Sequence, residues 1–450
     1  MSKNLRTYLQ DLEDLEREEP GEWQQVEDSI PAHLGIPVYL ERLEKANRFP
    51  AVHFARVTDQ EGRPFKFPVV SNLFASRSRL ALAIGAEVKS LAEDLVKRLQ
   101  PVPPRVVAKG KAPVKEVILK GDQVDLRLLP IVTHHMGDAG PYITAASVWC
   151  KDIDTGEYNC AILRLWARER NRMGIHLNPS GHSYFHYRRW AGRGQAMPVA
   201  ICIGHHPAFY LGGLAKVKGN EIEYVGGVMG EPLAVVPSET LGDDFLVPAE
   251  AEIVLEGEIL PNIFEPEGPF GDFTGYTDPA KPHNVVELKG MSFRHDAIYL
   301  DNFSGHRDHF LMDAPTLENA LLHQLRQVVP TVKRVFLPYS GCCRFHAYVQ
   351  LEKTDDGQPR TIIARTLTAD FRLKHVVVVD EDIDVENEEE VWWAVAMRSQ
   401  WDKDLIVLPR VSGSVLDPSG ENGLTAKGGI DATVPLNKKF PTRNVLPDKI

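Results

Sequence analysis

The apolar positions change rhythm twice along the chain, and each change marks an expected domain boundary. Leu5, Tyr8, Leu9, Leu12 and Leu15 recur at helical spacing, which predicts an amphipathic first helix. A second helical pattern covers 37–45. Segments 51–57 and 65–70 read as strands around a turn at Glu61-Gly62-Arg63, and 78–99 reads as helix. Gln100-Pro101-Val102-Pro103-Pro104 then favours extended chain, because each proline disfavours helix at the residue before it. These elements predict an N-terminal α/β domain over residues 1–113.

From 114 to 312 the pattern is one of short β-rich runs, at 117–119, 142–150, 160–166, 198–203, 233–236, 251–259 and 285–294. Gly, Pro, Asn and Asp separate them and helical stretches are few, so an antiparallel sheet or split β-barrel is expected. From 313 to 450 helices and strands alternate again. Asp313 as cap and Pro315 as an early helical residue predict a helix start, with Leu317, Leu321, Leu325 and Val328 on one face and Pro330 ending it. Strands at 332–337, 344–351 and 376–379 follow. A helix at 388–397 begins with glutamates that suit the positive end of its dipole. The expected fold class is α+β, with N-terminal α/β, central split-barrel and C-terminal α/β domains.

Composition narrows the function classes. At 450 residues the chain is too long for one ordinary core. No apolar stretch reaches the ~18–20 residues that span a bilayer, and the first twenty residues are charged where a signal peptide is apolar. A cytoplasmic protein without a membrane partner is expected. The net charge of −11 argues against nucleic-acid binding, which requires clustered cations. Cys150, Cys160, Cys202, Cys342 and Cys343 are odd in number and form no CxxC, so reduced thiols are expected, the vicinal pair serving as buried small residues.

Three segments carry candidate chemistry. In Glu265-Pro266-Glu267-Gly268-Pro269-Phe270-Gly271-Asp272, two acids flank a turn whose apolar members lower the local dielectric, a setting for a general acid near neutral pH. In Asn159-Cys160-Ala161-Ile162-Leu163-Arg164, Asn159 offers an amide oxygen to a hard cation and Arg164 a planar fork to a carboxylate. Residues five apart face opposite sides of a regular strand, so the chain must bend if both line one site. Histidines cluster at His176, His182 and His186, at His205-His206, and at His306 and His309; the last pair reads as a loop able to hold an anion or a phenol. His182 and His186 lack the intervening Glu of a zinc hydrolase. The chain has no GxGxxG after a strand, no GxxxxGK[ST] and no GxSxG, which disfavours dinucleotide, P-loop and α/β-hydrolase chemistry. Leu211-Gly212-Gly213-Leu214 is too short to read as a phosphate loop.

Taken in order, these segments resemble the UbiD family of decarboxylases over essentially the whole chain. The matching pieces are Asp138-Ala139-Gly140-Pro141-Tyr142, Asn159 with Arg164, His182, Glu221 before Tyr224-Val225-Gly226, the run from Val247 to Gly257, Glu267 to Asp272, Lys374 leading into Asp380-Glu381-Asp382, and Asp431-Ala432-Thr433. The resemblance implies prenylated FMN as cofactor, an electron sink for carbon–carbon cleavage. It implies that Asn159, His182 and Glu221 hold Mn2+ or Mg2+ against the cofactor phosphate, with K+ as a further cation. Arg164, Glu267 and Asp272 match the catalytic set. The cofactor-binding positions are Asn159, Ala161, Ile162, Leu163, Arg164, Gly181, His182, Gly212, Gly213, Leu214, Glu221 and Lys374. The substrate side falls at His306, Arg307, His309 and Leu311. The implied partners are a small aromatic or unsaturated carboxylic acid, carbon dioxide, a flavin prenyltransferase that supplies the cofactor, and further copies of the chain in a homodimer or larger assembly through the C-terminal domain. A flavin-binding redox protein would have no use for Arg164, Glu267 and Asp272 together. A two-carboxylate glycosidase would leave Asn159, His182 and Glu221 unexplained.

Overall fold

The computed structural model describes residues 2–18, 20–179, 181–215 and 217–444. It separates into two compact units, Met1–Thr316 and Leu317–Ile450, with the division falling inside the helix Arg307–Arg326. Among the described residues no helix is long and apolar enough to cross a membrane.

In the first unit the opening helix is Leu5–Glu18, and it buries Leu5, Tyr8, Leu9 and Leu12, the stripe that its spacing predicts. A four-stranded sheet follows in the order Trp23–Pro31, Ala51–Thr58, Val69–Ser71, Tyr299–Leu300. Its last strand comes from a segment more than two hundred residues later, a closure that no local pattern encodes. The helix predicted over 78–99 is two helices, Arg77–Ile84 and Leu91–Arg98. Gly85, at φ +62°, ends the first with backbone that a residue bearing a Cβ adopts at a cost.

The centre of this unit is a nine-stranded antiparallel sheet. Its spine is the pair Ile253–Glu267 and Lys281–Phe293, which runs from Ile253 opposite Phe293 to Glu267 opposite Lys281 with register shifts between Glu256 and Gly257 and between Ile259 and Phe264. Both strands are longer than their apolar runs, because the sheet continues past the core into the polar segment that carries Glu267. On one side Lys281–Phe293 pairs with Arg172–Ile175, which pairs with Leu165–Ala167. On the other side Ile253–Glu267 pairs with Met197–Ile203, then Ala146–Lys151, then Tyr158–Ile162. The segment expected as one strand over 160–166 is therefore two strands on opposite flanks of the spine.

The helix Arg307–Arg326 begins two turns before its expected start. Asp308, fully buried, accepts hydrogen bonds from the backbone N–H groups of Asn72, Phe74 and Phe303 at 3.1, 2.7 and 3.0 Å, which ties down its first turn. Pro315 lies inside the helix, where burial of Leu311, Ala314 and Leu317 outweighs the ~3 kcal/mol that an interior proline costs. Residues 307–309 thus belong to a helix, where the sequence suggests a loop.

The second unit is a five-stranded mixed sheet in the order Val332–Phe336, His346–Leu351, His375–Asp380, Leu424–Ala432, Leu405–Ser412. Val377, Val379, Ile383, Val385 and Val391 form its core against the helix Glu388–Arg398. The α+β class expected from the apolar pattern is borne out by this mixture of helices and sheets.

Candidate active site

Two polar clusters stand on the same stretch of chain, between Tyr158 and Ala167. The strand Tyr158–Ile162 ends, Leu163 and Arg164 lie in the break, and Leu165–Ala167 begins a second strand. The break removes the alternation that would set Asn159 and Arg164 on opposite faces.

Arg164 is the hub of the first cluster. Its Nε and Nη2 donate to Glu267 Oε1 and Oε2 at 3.2 and 2.9 Å, a two-point fork on one carboxylate. Nη1 donates to Asp272 Oδ2 at 2.6 Å, and Nη2 also reaches Asp278 Oδ2 at 3.0 Å. The guanidinium lies 4.8 Å from the centre of the Phe270 ring. Burial opposes its charge, but Glu267, Asp272 and Asp278 hold its pKa above the usual arginine value. Glu267 is fully buried. Burial acts against ionisation of Asp278 as well, yet Lys281 at 2.6 Å and Arg164 lower its pKa.

Several backbone features aim these acids. Glu267 is the last residue of its strand, and Gly268, at φ +97°, turns the chain. Phe270 and Gly271 then pair with Thr277 and Asp278, which carries Asp278 back to the arginine. The Asp138 carboxylate clamps this hairpin, accepting from Gly271 N at 2.7 Å and from His135 N at 2.8 Å. Ala139 N donates to Pro269 O at 2.8 Å. Gly174, on the strand Arg172–Ile175 across Lys281–Phe293 in the sheet, lies against Glu267: a Cβ there would come within 3.0 Å of Glu267 Cγ. Tyr142 packs on Phe270 at 4.4 Å, and burial together with Glu267 pushes its hydroxyl pKa up.

The second cluster surrounds Glu221, the first residue of the helix Glu221–Met229. Its Oε2 accepts from Asn159 Nδ2 at 2.8 Å and from Cys160 N at 2.6 Å, and Oε1 lies 3.4 Å from His182 Nδ1. Burial raises the Glu221 pKa, outweighing the hydrogen bonds from Cys160 and Asn159 and the proximity of His182 that act to lower it. His182 opens the helix His182–Gly192, directly after Gly181, and Ser183 Oγ donates to Asn159 Oδ1 at 2.7 Å. A half-turn of the Asn159 amide presents its oxygen beside Glu221 and His182, an O,N,O set that suits a hard divalent ion. The residues present therefore fit a metal.

The remaining expected positions are distributed as follows. Ala161, Ile162 and Leu163 are half-buried. Gly212 faces the next helix, where a Cβ would come within 2.7 Å of Val225 Cα, and a Cβ on Gly213 would lie 3.5 Å from Cys160 Cβ. Leu214 follows the helix Pro207–Gly213. His306 stacks on Phe303 at 3.7 Å and bonds Glu44, and the Arg307 guanidinium lies 3.7 Å from the Phe49 ring centre. His309 accepts from Gly305 N and meets Phe273, the neighbour of Asp272, edge-on at 6.3 Å. Leu311 is buried. In the second unit, Lys374 Nζ is held by Asp417 at 2.8 Å and Ser419 at 2.6 Å.

Sequence reasoning missed Asp278, Gly174 and Ser183, and it named Asp138 only within a matching segment, without a role. The available signal for Asp278 was the Gly275 turn between Phe270 and Asp278, which folds the second acid-bearing arm onto the first.

Comparison with known proteins gives a consistent result. Residues 14–99, 105–307 and 310–432 match the N-terminal, Rift-related and C-terminal domain models of 3-octaprenyl-4-hydroxybenzoate carboxy-lyase, UbiD. The chain is 35% identical over 376 residues to anhydromevalonate phosphate decarboxylase of Methanothermobacter thermautotrophicus, covering 82% of this chain and 86% of that protein. The UbiD-class enzyme HmfF of Pelotomaculum thermopropionicum, solved with FMN, superimposes with a TM-score of 0.91 at 37% identity over 98% of this chain and 97% of that one. An evolved dimeric form of the same enzyme with prFMN gives 0.88 at 36% identity, over 100% and 99% of the two chains.

Proposed function

This chain belongs to the UbiD family of decarboxylases, and from that membership we propose that it reversibly exchanges carbon dioxide on an aromatic, heteroaromatic or α,β-unsaturated carboxylic acid. The single observation that carries the reading is the Arg164 guanidinium forked on the buried Glu267 and bonded to Asp272. A cation able to seize a substrate carboxylate, set beside two proton carriers, is what such a reaction requires.

Prenylated FMN, the cofactor named for a structural relative, supplies the electron sink when bound. Asn159, His182 and Glu221 would hold a divalent metal, Mn2+ or Mg2+, next to its phosphate, and two helix N-termini, at His182 and Glu221, add favourable dipoles there. The chain's own groups perform the rest. Arg164 turns one or both of its Nη groups to the substrate carboxylate and fixes its orientation. Burial of Glu267 and Phe270 keeps water from the reacting carbon. Glu267 or Asp272 delivers the proton that replaces carbon dioxide. Asp278, paired with Lys281, keeps Arg164 in place while its other partners exchange. In the second unit Trp392, Trp393, Met397 and Trp401 are exposed, an apolar surface that supports self-association into a homo-oligomer.

The test is co-expression with a flavin prenyltransferase, followed by a panel of furan, pyrrole, indole, hydroxybenzoate and unsaturated aliphatic acids assayed for carbon dioxide release. Protein with flavin-like absorbance and release from at least one acid is the expected result. Absence of both refutes the reading.

A further inference from the structure

The acids that meet Arg164 are not equally well supported. Glu267 ends a long strand of the nine-stranded sheet, whereas Asp272 and Asp278 belong to a separate hairpin in which Phe270 and Gly271 pair with Thr277 and Asp278. So short a pair of strands is marginal by itself in water. The hairpin also carries glycines at positive φ on both sides of Asp272, Gly268 at +97° and Gly275 at +75°, and Tyr276 is exposed. Glycine gives the backbone its greatest freedom at such points. Groups outside the hairpin must therefore fix it to the body of the protein.

Those groups converge on Gly271, the residue before Asp272. Its N–H donates to Asp138 Oδ1 at 2.7 Å, and its C=O accepts from Ser304 Oγ at 2.9 Å. Both side chains are buried. The other Asp138 oxygen accepts from His135 N at 2.8 Å, and Asp138 N donates back to His135 O at 3.1 Å, which locks the carboxylate to its own segment. Burial opposes ionisation of Asp138, yet the His135 ring and the N–H groups of Gly271 and His135 lower its pKa, so it grips Gly271 as a carboxylate. The His135 ring closes the other side: a Cβ on Gly271 would come within 2.3 Å of its Nδ1, and a Cβ on Gly305 within 3.2 Å of Asp272 O. The backbone that carries Asp272 is thus wedged between residues 135–138 and 304–305.

We propose that Asp138 and Ser304 are positioning residues for the proton transfer, placing the Asp272 carboxyl at the reacting carbon by holding Gly271 from both sides; this rests on the decarboxylase reading above. Within that reading the bond between the substrate carbon and its carboxylate breaks, carbon dioxide leaves, and the vacated carbon takes a proton from Asp272, which regains one from water. Asp272 suits this role better than Glu267. Its side chain keeps 10% of its exposure and gives one oxygen to Arg164, whereas Glu267 has no exposure and gives both. Asp138 and Ser304 act through backbone alone, so their loss falls on the placement of Asp272. Arg164 keeps its fork on Glu267, and with it the means to bind the substrate carboxylate. A misplacement of ~1 Å at a reacting group costs about 100-fold in rate, so partial release of the hairpin should cost about tenfold or more.

The experiment compares wild-type holoenzyme with Asp138→Ala, circular dichroism and flavin absorbance confirming fold and loading. The expected result is a fall in kcat of about tenfold or more with KM within about threefold. A second readout needs no turnover: in cofactor-free protein, amide hydrogen exchange should speed up in peptides covering 268–278 and stay unchanged in those covering 253–259. A loaded variant with the wild-type kcat overturns the proposal, as does a loss confined to KM or an unchanged exchange rate at 268–278. Where Asp138→Ala loosens the whole protein, Ser304→Ala carries the test from the other side by deleting one hydroxyl. There a fall in kcat of about threefold or more, with exchange raised at 268–278, supports the proposal, and the wild-type kcat overturns it. Inactivity of the wild-type holoenzyme on every acid counts against the decarboxylase reading, while the exchange rates still decide whether the clamp exists.

Discussion

Replacing Gly174 with Ala should slow the reaction by moving Glu267 and little else. Gly174 pairs with Val285 and Trp166 within the sheet, and its backbone lies outside the left-handed region, so the added methyl acts through space alone. The new Cβ would lie 3.0 Å from Glu267 Cγ, 3.4 Å from its Cβ and 3.7 Å from Trp166 Cβ. Carbon atoms rest at roughly 3.5–4.0 Å, so Glu267 must yield by about half an ångström. It has little room, being fully buried and forked on Arg164. A displacement of ~1 Å at a reacting group costs about 100-fold in rate, so about tenfold is expected in kcat. Overpacking by one methyl destabilises by roughly 1–3 kcal/mol, partly offset by the ~0.4–1 kcal/mol that Gly→Ala removes from unfolded-state freedom. Steady-state carbon dioxide release, flavin absorbance and thermal melting check the three parts. A folded, cofactor-loaded variant whose kcat stays within twofold of wild type would refute the idea that the position of Glu267 sets the rate.

Other expectations follow from the same geometry. Glu267→Gln should abolish turnover while flavin absorbance persists, and loss of the bound cofactor would mean the residue has a different role. Arg164→Lys replaces a planar fork by a point charge and gives up at least one charge-assisted bond to Glu267, so KM should rise with a loss in kcat/KM of about 2–3 kcal/mol, or roughly 30- to 150-fold. Added Mn2+ should raise the Tm of the wild type, the gain at a hundredfold excess over Kd being about 2.7 kcal/mol, and Glu221→Gln should erase it. Burial, with Arg164 and His283, lowers the His176 pKa to about 3, below its ordinary value. The unfolded chain therefore binds the proton first, and the stability present at neutral pH is lost as pH falls below about 6.5. Urea melts should show wild type losing about 2 kcal/mol more than His176→Gln between pH 7 and pH 5.

Much of the local structure was legible because it repeats a period. The buried stripe Leu5, Tyr8, Leu9 and Leu12 and the apolar run of His375–Asp380 announce a helix and a strand without reference to the rest of the chain. The errors fall where tertiary packing overrode a local signal. Pro315 reads as a helix start, but buried Asp308 and its three backbone donors placed the start two turns earlier. Gly85 divided a continuous helical pattern whose periodicity carried across the break.

The opposition between Asn159 and Arg164 was resolved in the same way. The sequence contained both residues and the requirement for a bend; the bend itself arises because the two halves of the segment pair with different partners, Ala146–Lys151 on one flank and Arg172–Ile175 on the other. By itself the sequence determined the chemistry available, a planar cation and two acids about a Gly-Pro turn; the metal set of Asn159, His182 and Glu221 came only from the family resemblance. Only the tertiary structure decided that a third acid, Asp278, shares the arginine and that Gly174 leaves room for Glu267. Those relations join residues on separate strands, and the register that brings them together is set by the whole sheet, because a strand's local pattern specifies which face is buried but not its neighbour.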